Sequence, residues 1–170
     1  MNFKTTCLLL GVLPLLASCA SQPIALAPVG PSPFAGRSSS SMGAGYLQVF
    51  SDLEAIDEGD NPSFFQHTDY NIYNGERKLV KHVDNTVGHY ETSPRLVSLR
   101  PGTYIIVARA KEWMSVEIPV AIVRGGITKV HLDENWQPPA RTPKTDVVCA
   151  PDGYPVGWRA NLPIGGTKTG

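Results

Sequence analysis

Beyond Cys19 no stretch of this chain sustains an apolar period of 3.6 residues, which leaves no amphipathic helix to build a core. Short β-prone runs take its place, cut apart by turn residues. Tyr46 to Phe50 is rich in aromatic and β-branched residues. Asp69 to Tyr73 and Arg77 to Val83 flank Asn74-Gly75, which predicts a hairpin with a type I′ turn. Arg95 to Leu99 leads into Arg100-Pro101-Gly102, where the spacing predicts a type II turn with positive φ at the glycine. Thr103 to Ala110 is apolar on both faces and reads as a central strand. Val116, Ile118, Val120 and Ile122 then fall on one face at period two. Gly125-Gly126 turns the chain again, and Thr128, Val130 and Leu132 oppose Lys129 and His131, which are expected to face solvent. About seven short strands over residues 45–135 predict a single all-β sandwich.

The first 18 residues have a different grammar. Lys4 supplies a positive start, Leu8 to Leu16 a short apolar run broken by Pro14, and small residues lead to Cys19. The run is too short to span a bilayer and reads as an export signal over residues 1–18. Leu16-Ala17-Ser18-Cys19 resembles the lipobox of bacterial lipoproteins, which implies cleavage before Cys19 and lipid attachment to it. An ordinary secretory signal cut near Ala20 is the alternative. Residues 19–44 follow with Pro23, Pro28, Pro31, Pro33 and Ser38 to Ser41, and read as a flexible tether. A coil of that length would reach about 25–30 Å.

Residues 136–170 form a second Pro-rich segment with Pro138, Pro139 and Pro143. Within it, Val147 to Ala150 and Val156 to Ala160 flank Pro151-Asp152-Gly153 as a small hairpin over residues 147–160. That hairpin either joins a sandwich edge or stays free, and the sequence leaves both open. Gly165 to Gly170 reads as a disordered end.

Cleavage after residue 18 would remove Cys7 and leave Cys19 and Cys149, so a lipidated Cys19 leaves no pair for an intramolecular disulfide. The chain holds 15 Lys and Arg against 15 Asp and Glu. That balance argues against a nucleic-acid surface or a polybasic membrane patch. The charges are unevenly spread. Gly45 to Glu76 carries seven acids and no Lys or Arg, which predicts an acidic region on the domain.

The body of the chain carries a further resemblance. Val97-Ser98-Leu99-Arg100-Pro101-Gly102-Thr103-Tyr104, then Val120 to Val123, Gly125-Gly126 and Val130-His131-Leu132, resembles the carboxypeptidase regulatory-like and PEGA-type domains of bacterial surface proteins. Pro101, Gly102 and Tyr104 fill the Pro-Gly-x-Tyr positions. The resemblance implies an Ig-like or prealbumin-like sandwich with roles in spacing, display and weak binding. A related sandwich is a purine-pathway hydrolase with a Tyr-Arg-Gly-Ser tail. This chain ends Gly165-Gly166-Thr167-Lys168-Thr169-Gly170, so that activity does not carry over.

Residue chemistry offers few sites. His67, His82, His89 and His131 fit no recurrent zinc spacing. Asp57 and Asp60, with Asp52, Glu54 and Glu58 beside them, offer hard oxygens to calcium, but without the EF-hand pattern. Phe64 and Phe65 in the same loop would form a sugar- or protein-docking patch if exposed, and a plug for the sandwich if buried. Trp113, Trp136 and Trp158 are scattered and read as core residues. No nucleophile elbow, zincin motif, phosphate-cradling loop or cysteine–histidine pair is present, so the reading is non-enzymatic, with no cofactor. The expectation is a lipid-anchored accessory or display module of the cell envelope. Cys19 would tie it to the membrane, on the periplasmic leaflet of the outer membrane since Ala20 is not Asp, with an envelope protein as partner. The alternative is a calcium- or carbohydrate-binding module using the loop 52–70, with Asp57, Asp60, Phe64, Phe65 and His67 as its ligand residues.

Overall fold

The computed structural model describes residues 22–34, 43–56, 64–86, 93–111 and 114–160. It is all-β: two packed sheets and a separate hairpin, with a 3-10 turn at Lys144–Asp146 and no α-helix among the described residues. The strands are β1 (Ile24–Ala25), β2 (Val29–Gly30), β3 (Gly45–Phe50), β4 (Leu53–Ile56), β5 (Phe64–His67), β6 (Tyr70–Tyr73) and β7 (Leu79–Val83). After them come β8 (Leu96–Leu99), β9 (Gly102–Arg109), β10 (Ser115–Ile122), β11 (Ile127–His131), β12 (Val147–Cys149) and β13 (Pro155–Arg159). Nine of these fall within residues 45–135, exceeding seven because β4 and β5 form an additional hairpin, and the flanking segments add four more.

The larger sheet runs β12-β13-β2-β10-β9-β6-β7, with β1 also on β10; the smaller runs β11-β3-β8. Period-two patterning accounts for their packing. Val116, Ile118, Val120 and Ile122 of β10 are all buried, as are Ile106 and Ala108 of β9 and Ile72 of β6. From the smaller sheet Leu47, Val49, Val97, Leu99 and Val130 meet them in one core. The expected central strand is central: β9 pairs with β10 on one side and β6 on the other. Tyr104 packs against the core at its start and donates its hydroxyl to Arg100 O at 3.1 Å.

The tether expectation for residues 19–44 is corrected over its described part. Ile24 pairs with Val116 and Val29 with Val120, both parallel to β10, and Val29 is fully buried. Pro23 and Pro28 precede these two short strands, where a missing N–H costs the ladder little. Prolines made the segment look unable to pack, while Ile24, Leu26 and Val29 supply enough apolar surface to dock. The hairpin at 147–160 also joins the sheet, through Trp158 opposite Gly30 and Arg159 opposite Val29. The sandwich therefore extends beyond residues 45–135 at both ends. The tail Gly165–Gly170 and the signal segment lie outside the described residues.

Two turns differ from their expected types. The β6–β7 hairpin forms, yet neither Asn74 nor Gly75 has positive φ; Arg77 takes it instead, at 59°. Arg77 N–H donates to Asn74 O, and Asn74 Oδ1 accepts from the N–H groups of Glu76 and Lys78. A longer, side-chain-braced turn thus replaces the two-residue one. Arg77 is held there by a two-pronged contact with Glu117, at 2.7 and 3.0 Å. At Pro101-Gly102 the chain crosses from the smaller sheet to the larger, and Gly102 already belongs to β9 with φ 156°, so no type II turn forms.

Candidate functional site

Parallel pairing of β11 with β3 sets Phe50 opposite His131, so the two side chains share one face. Their rings stack at 4.3 Å between centroids and 16° between planes. Beyond β11 the chain bends through Asp133 and Glu134, the latter at φ 59°, and returns Trp136 onto the other side of the imidazole at 5.1 Å and 9°. Trp158 from β13 meets Trp136 edge-on at 5.8 Å, and Phe34 meets Trp158 edge-on at 5.4 Å. At the far end His67 stands perpendicular to Phe50 at 5.7 Å. Six rings from six separate positions in the chain form one continuous row. Stacked and edge-to-face pairs of this kind add about 0.5–1.5 kcal/mol each beyond their burial.

The inner end of the row is structural. His67 is 7 % exposed, with Nδ1 2.6 Å from Ser51 O. The outer end opens on a groove of about 380 Å³ lined by Ser32, Phe34, Lys129, Trp136, Gly157 and Trp158, with Ile127 and His131 beneath. Gly157 is required there, because a Cβ would lie 2.7 Å from Val29 Cγ1 and 2.9 Å from Lys129 O. Its lack of a side chain lets β13 close over β11.

His131 was expected to face solvent, but it lies half-buried between Phe50 and Trp136. Burial lowers its pKa from 6.5 to about 4; Asp133 opposes that shift, while Lys129 and His67 add to it. The imidazole is thus a neutral stacking surface at ordinary pH. The unfolded chain binds the proton first as pH falls, so stability is lost from about pH 6.5 down to about pH 4. The expected loss from this residue is about 3 kcal/mol across that window. His131→Phe should unfold with a shallower pH dependence across that window, read as the difference between the two proteins' urea midpoints from pH 7 to 4. Parallel curves would mean the imidazole protonates without resistance.

Of the residues picked out for ligand binding at loop 52–70, the structure describes Phe64, Phe65 and His67. Asp57, Asp60 and Cys19 lie outside the described residues. Asp52 and Glu54 each stand 3.2 Å from the Arg109 guanidinium, which engages two of the oxygens considered for calcium. Phe64 is half-buried and Phe65 is 58 % exposed, so patch and plug divide between two neighbours on β5. His67 belongs to the buried corner and is turned away from any ligand role on this loop. Among the described residues no group of three or more His, Cys, Asp or Glu is placed to hold a metal. Cys149 is an exposed free thiol on β12.

The groove residues were not identified from sequence. The three tryptophans read as core; Trp158 is largely buried, at 9 % exposed, while Trp136 is only half-buried. A usable signal existed in the setting of Trp136, between Asn135 and Gln137 and just before Pro138-Pro139, where little else can pack. Compared with known proteins, the chain matches no family model, no curated protein and no solved structure.

Proposed function

We propose that this chain is a lipid-anchored, non-catalytic β-sandwich module of a bacterial cell envelope, serving as an accessory or display domain. The observation that carries the reading is Leu16-Ala17-Ser18-Cys19 after a short apolar run with a positive start. The fold adds a consequence. Ile24, five residues after Cys19, is already paired to β10. Five extended residues span at most about 18 Å, so a lipid on Cys19 would hold the sandwich close to the headgroups instead of on a long leash. Strand polarity then turns one end of the sandwich toward the membrane. That end holds the start of β10, the end of β9 and the base of the β4–β5 hairpin, which Asp52 N–H ties to Arg109 O.

Charged groups along this body serve the fold. Arg109 holds Asp52 and Glu54, Lys111 holds Glu134 at 2.6 Å, and Arg77 holds Glu117. These arrangements brace strands against one another, which suits a rigid positional element. The anchor is tested in cells of a diderm bacterium fed an alkyne fatty acid. The wild-type chain should take up the label and pellet with membranes, whereas Cys19→Ser should lose the label and be released or retained uncleaved. Undiminished labelling of Cys19→Ser would overturn the proposal.

A further inference from the structure

Phe34 is 73 % exposed, yet it is held in one place. Its N–H donates to Ser32 Oγ at 3.2 Å, and its ring stands edge-on against Trp158. So exposed a ring contributes little to the core, and with Trp158 and Trp136 it makes a contiguous aromatic surface beside the groove. The groove's volume, about 380 Å³, falls within the range of small-molecule sites and is short for an extended peptide. Phe34, Trp158 and Trp136 touch edge-on in turn and form one continuous aromatic wall of it.

The charge of the groove is one-sided. Lys129 is exposed, lines it and makes no ion pair among the described residues. Among the described residues no Asp or Glu lines the groove, and His131 adds no charge at neutral pH. Two further polar groups are at hand. The Ser32 hydroxyl accepts from Phe34 N–H and keeps its own proton to donate, and the His131 imidazole, whose Nδ1 stands 4.0 Å from Asp133 Oδ1, also lines the groove. Among the described residues no side-chain amide lines the groove to read the edge of a nucleobase.

We propose that the groove beside the Phe34–Trp158–Trp136 wall binds a carboxylate-bearing sugar ring, with the acid paired to Lys129. A pyranose has an apolar face of C–H groups whose positive partial charge suits the negative face of an aromatic ring. Its rim of hydroxyls suits Ser32 and solvent, and a ring carboxylate would gain a charge-assisted hydrogen bond from the lysine. This inference is independent of the anchor: it stands on the groove alone.

The test is a titration of the whole chain with a tetrasaccharide of alternating glucuronic acid and N-acetylglucosamine, followed by tryptophan fluorescence and saturation-transfer NMR. The neutral N-acetylglucosamine tetrasaccharide, UMP and a proline decapeptide serve as comparators. Saturable binding is expected, about 10-fold tighter for the acidic sugar than for the neutral one. Phe34→Ala should weaken both sugars by about 10-fold. Lys129→Gln should bring the acidic sugar to the level of the neutral one and leave the neutral one unchanged. Both side chains are exposed, so neither substitution threatens folding. No saturable binding at millimolar sugar, equal affinity for the two sugars, unchanged affinity in both variants, or tighter binding of UMP or the decapeptide would each overturn it.

Discussion

Gly45→Ala should lower the melting temperature by about 10 °C, although it adds a single methyl group to the first residue of a strand. A Cβ built there would collide with the carbonyl oxygen of Val123 and lie 2.7 Å from Ile122 Cγ2. The first of these is backbone, so no rotamer change relieves the overlap. Relief requires β3 to withdraw from the β10–β11 turn. Two hydrogen bonds oppose that movement: Tyr46 N–H to Gly126 O at 2.9 Å, and Gly125 N–H to Ala44 O at 2.8 Å. Overpacking against a fixed neighbour costs typically 1–3 kcal/mol, and losing either bond adds to it. About 3 kcal/mol converts to roughly 10 °C for a domain of this size. Gly75→Ala is the control, since nothing lies within 4 Å of its Cβ position. Thermal unfolding followed by circular dichroism separates the two, and a Gly45→Ala midpoint within 2 °C of the control would show that the turn gives way freely.

The same corner shows what local sequence can and cannot specify. Val116 to Ile122 and Thr128 to Leu132 were legible because a half-buried strand alternates, and alternation is visible without knowing the partner. Gly125-Gly126 was legible as a turn for an equally local reason, and Gly125 takes φ 68° there. The parallel pairing of β11 with β3 was not. It joins residues some 80 positions apart, through Ile127 with Tyr46 and His131 with Phe50, and no turn signal encodes its register. The aromatic row depends on that register, so Trp136 and Trp158 read as scattered core residues and His131 as a solvent-facing one. The segment from Ile24 to Gly30 was obscured differently: two strands of two residues each are too short to show any period, and the prolines beside them carry the louder signal. At Asn74-Gly75 the hairpin was legible and its turn was not, because the asparagine side chain braces a longer loop and Arg77 takes the left-handed position. For the candidate site, the acidic character of residues 52–60 was plain in the sequence. That Arg109, more than 50 residues away, would engage Asp52 and Glu54 was not.

Asn85→Ala should be the most damaging polar substitution among the described residues, at about 3 kcal/mol. Asn85 follows β7 and is 1 % exposed. Its Nδ2 donates to Val49 O at 2.9 Å and Ser51 Oγ at 3.0 Å, with Thr68 O at 3.4 Å, and its Oδ1 accepts from Arg95 N–H at 3.1 Å. One amide therefore joins the end of β3, the β5–β6 corner and the approach to β8, so it ties both sheets to the small hairpin. Truncation leaves Val49 O and Arg95 N–H without that partner in a region poor in water, at about 1–3 kcal/mol for each buried group. Asn85→Asp should fare no better. It keeps the acceptor for Arg95 but replaces the donor with an oxygen facing carbonyls, and a buried carboxylate so placed meets repulsion as well as desolvation. Ser51→Ala removes the 2.6 Å bond to Thr68 O and one of the acceptors for Asn85, and should cost about 1 kcal/mol. Urea unfolding of the three variants gives the ordering. If Asn85→Ala falls within 1 kcal/mol of wild type, water replaces the amide and the sheets hold this corner through their apolar faces; if all three fall in the expected order, the fold rests on one buried side chain where its elements meet.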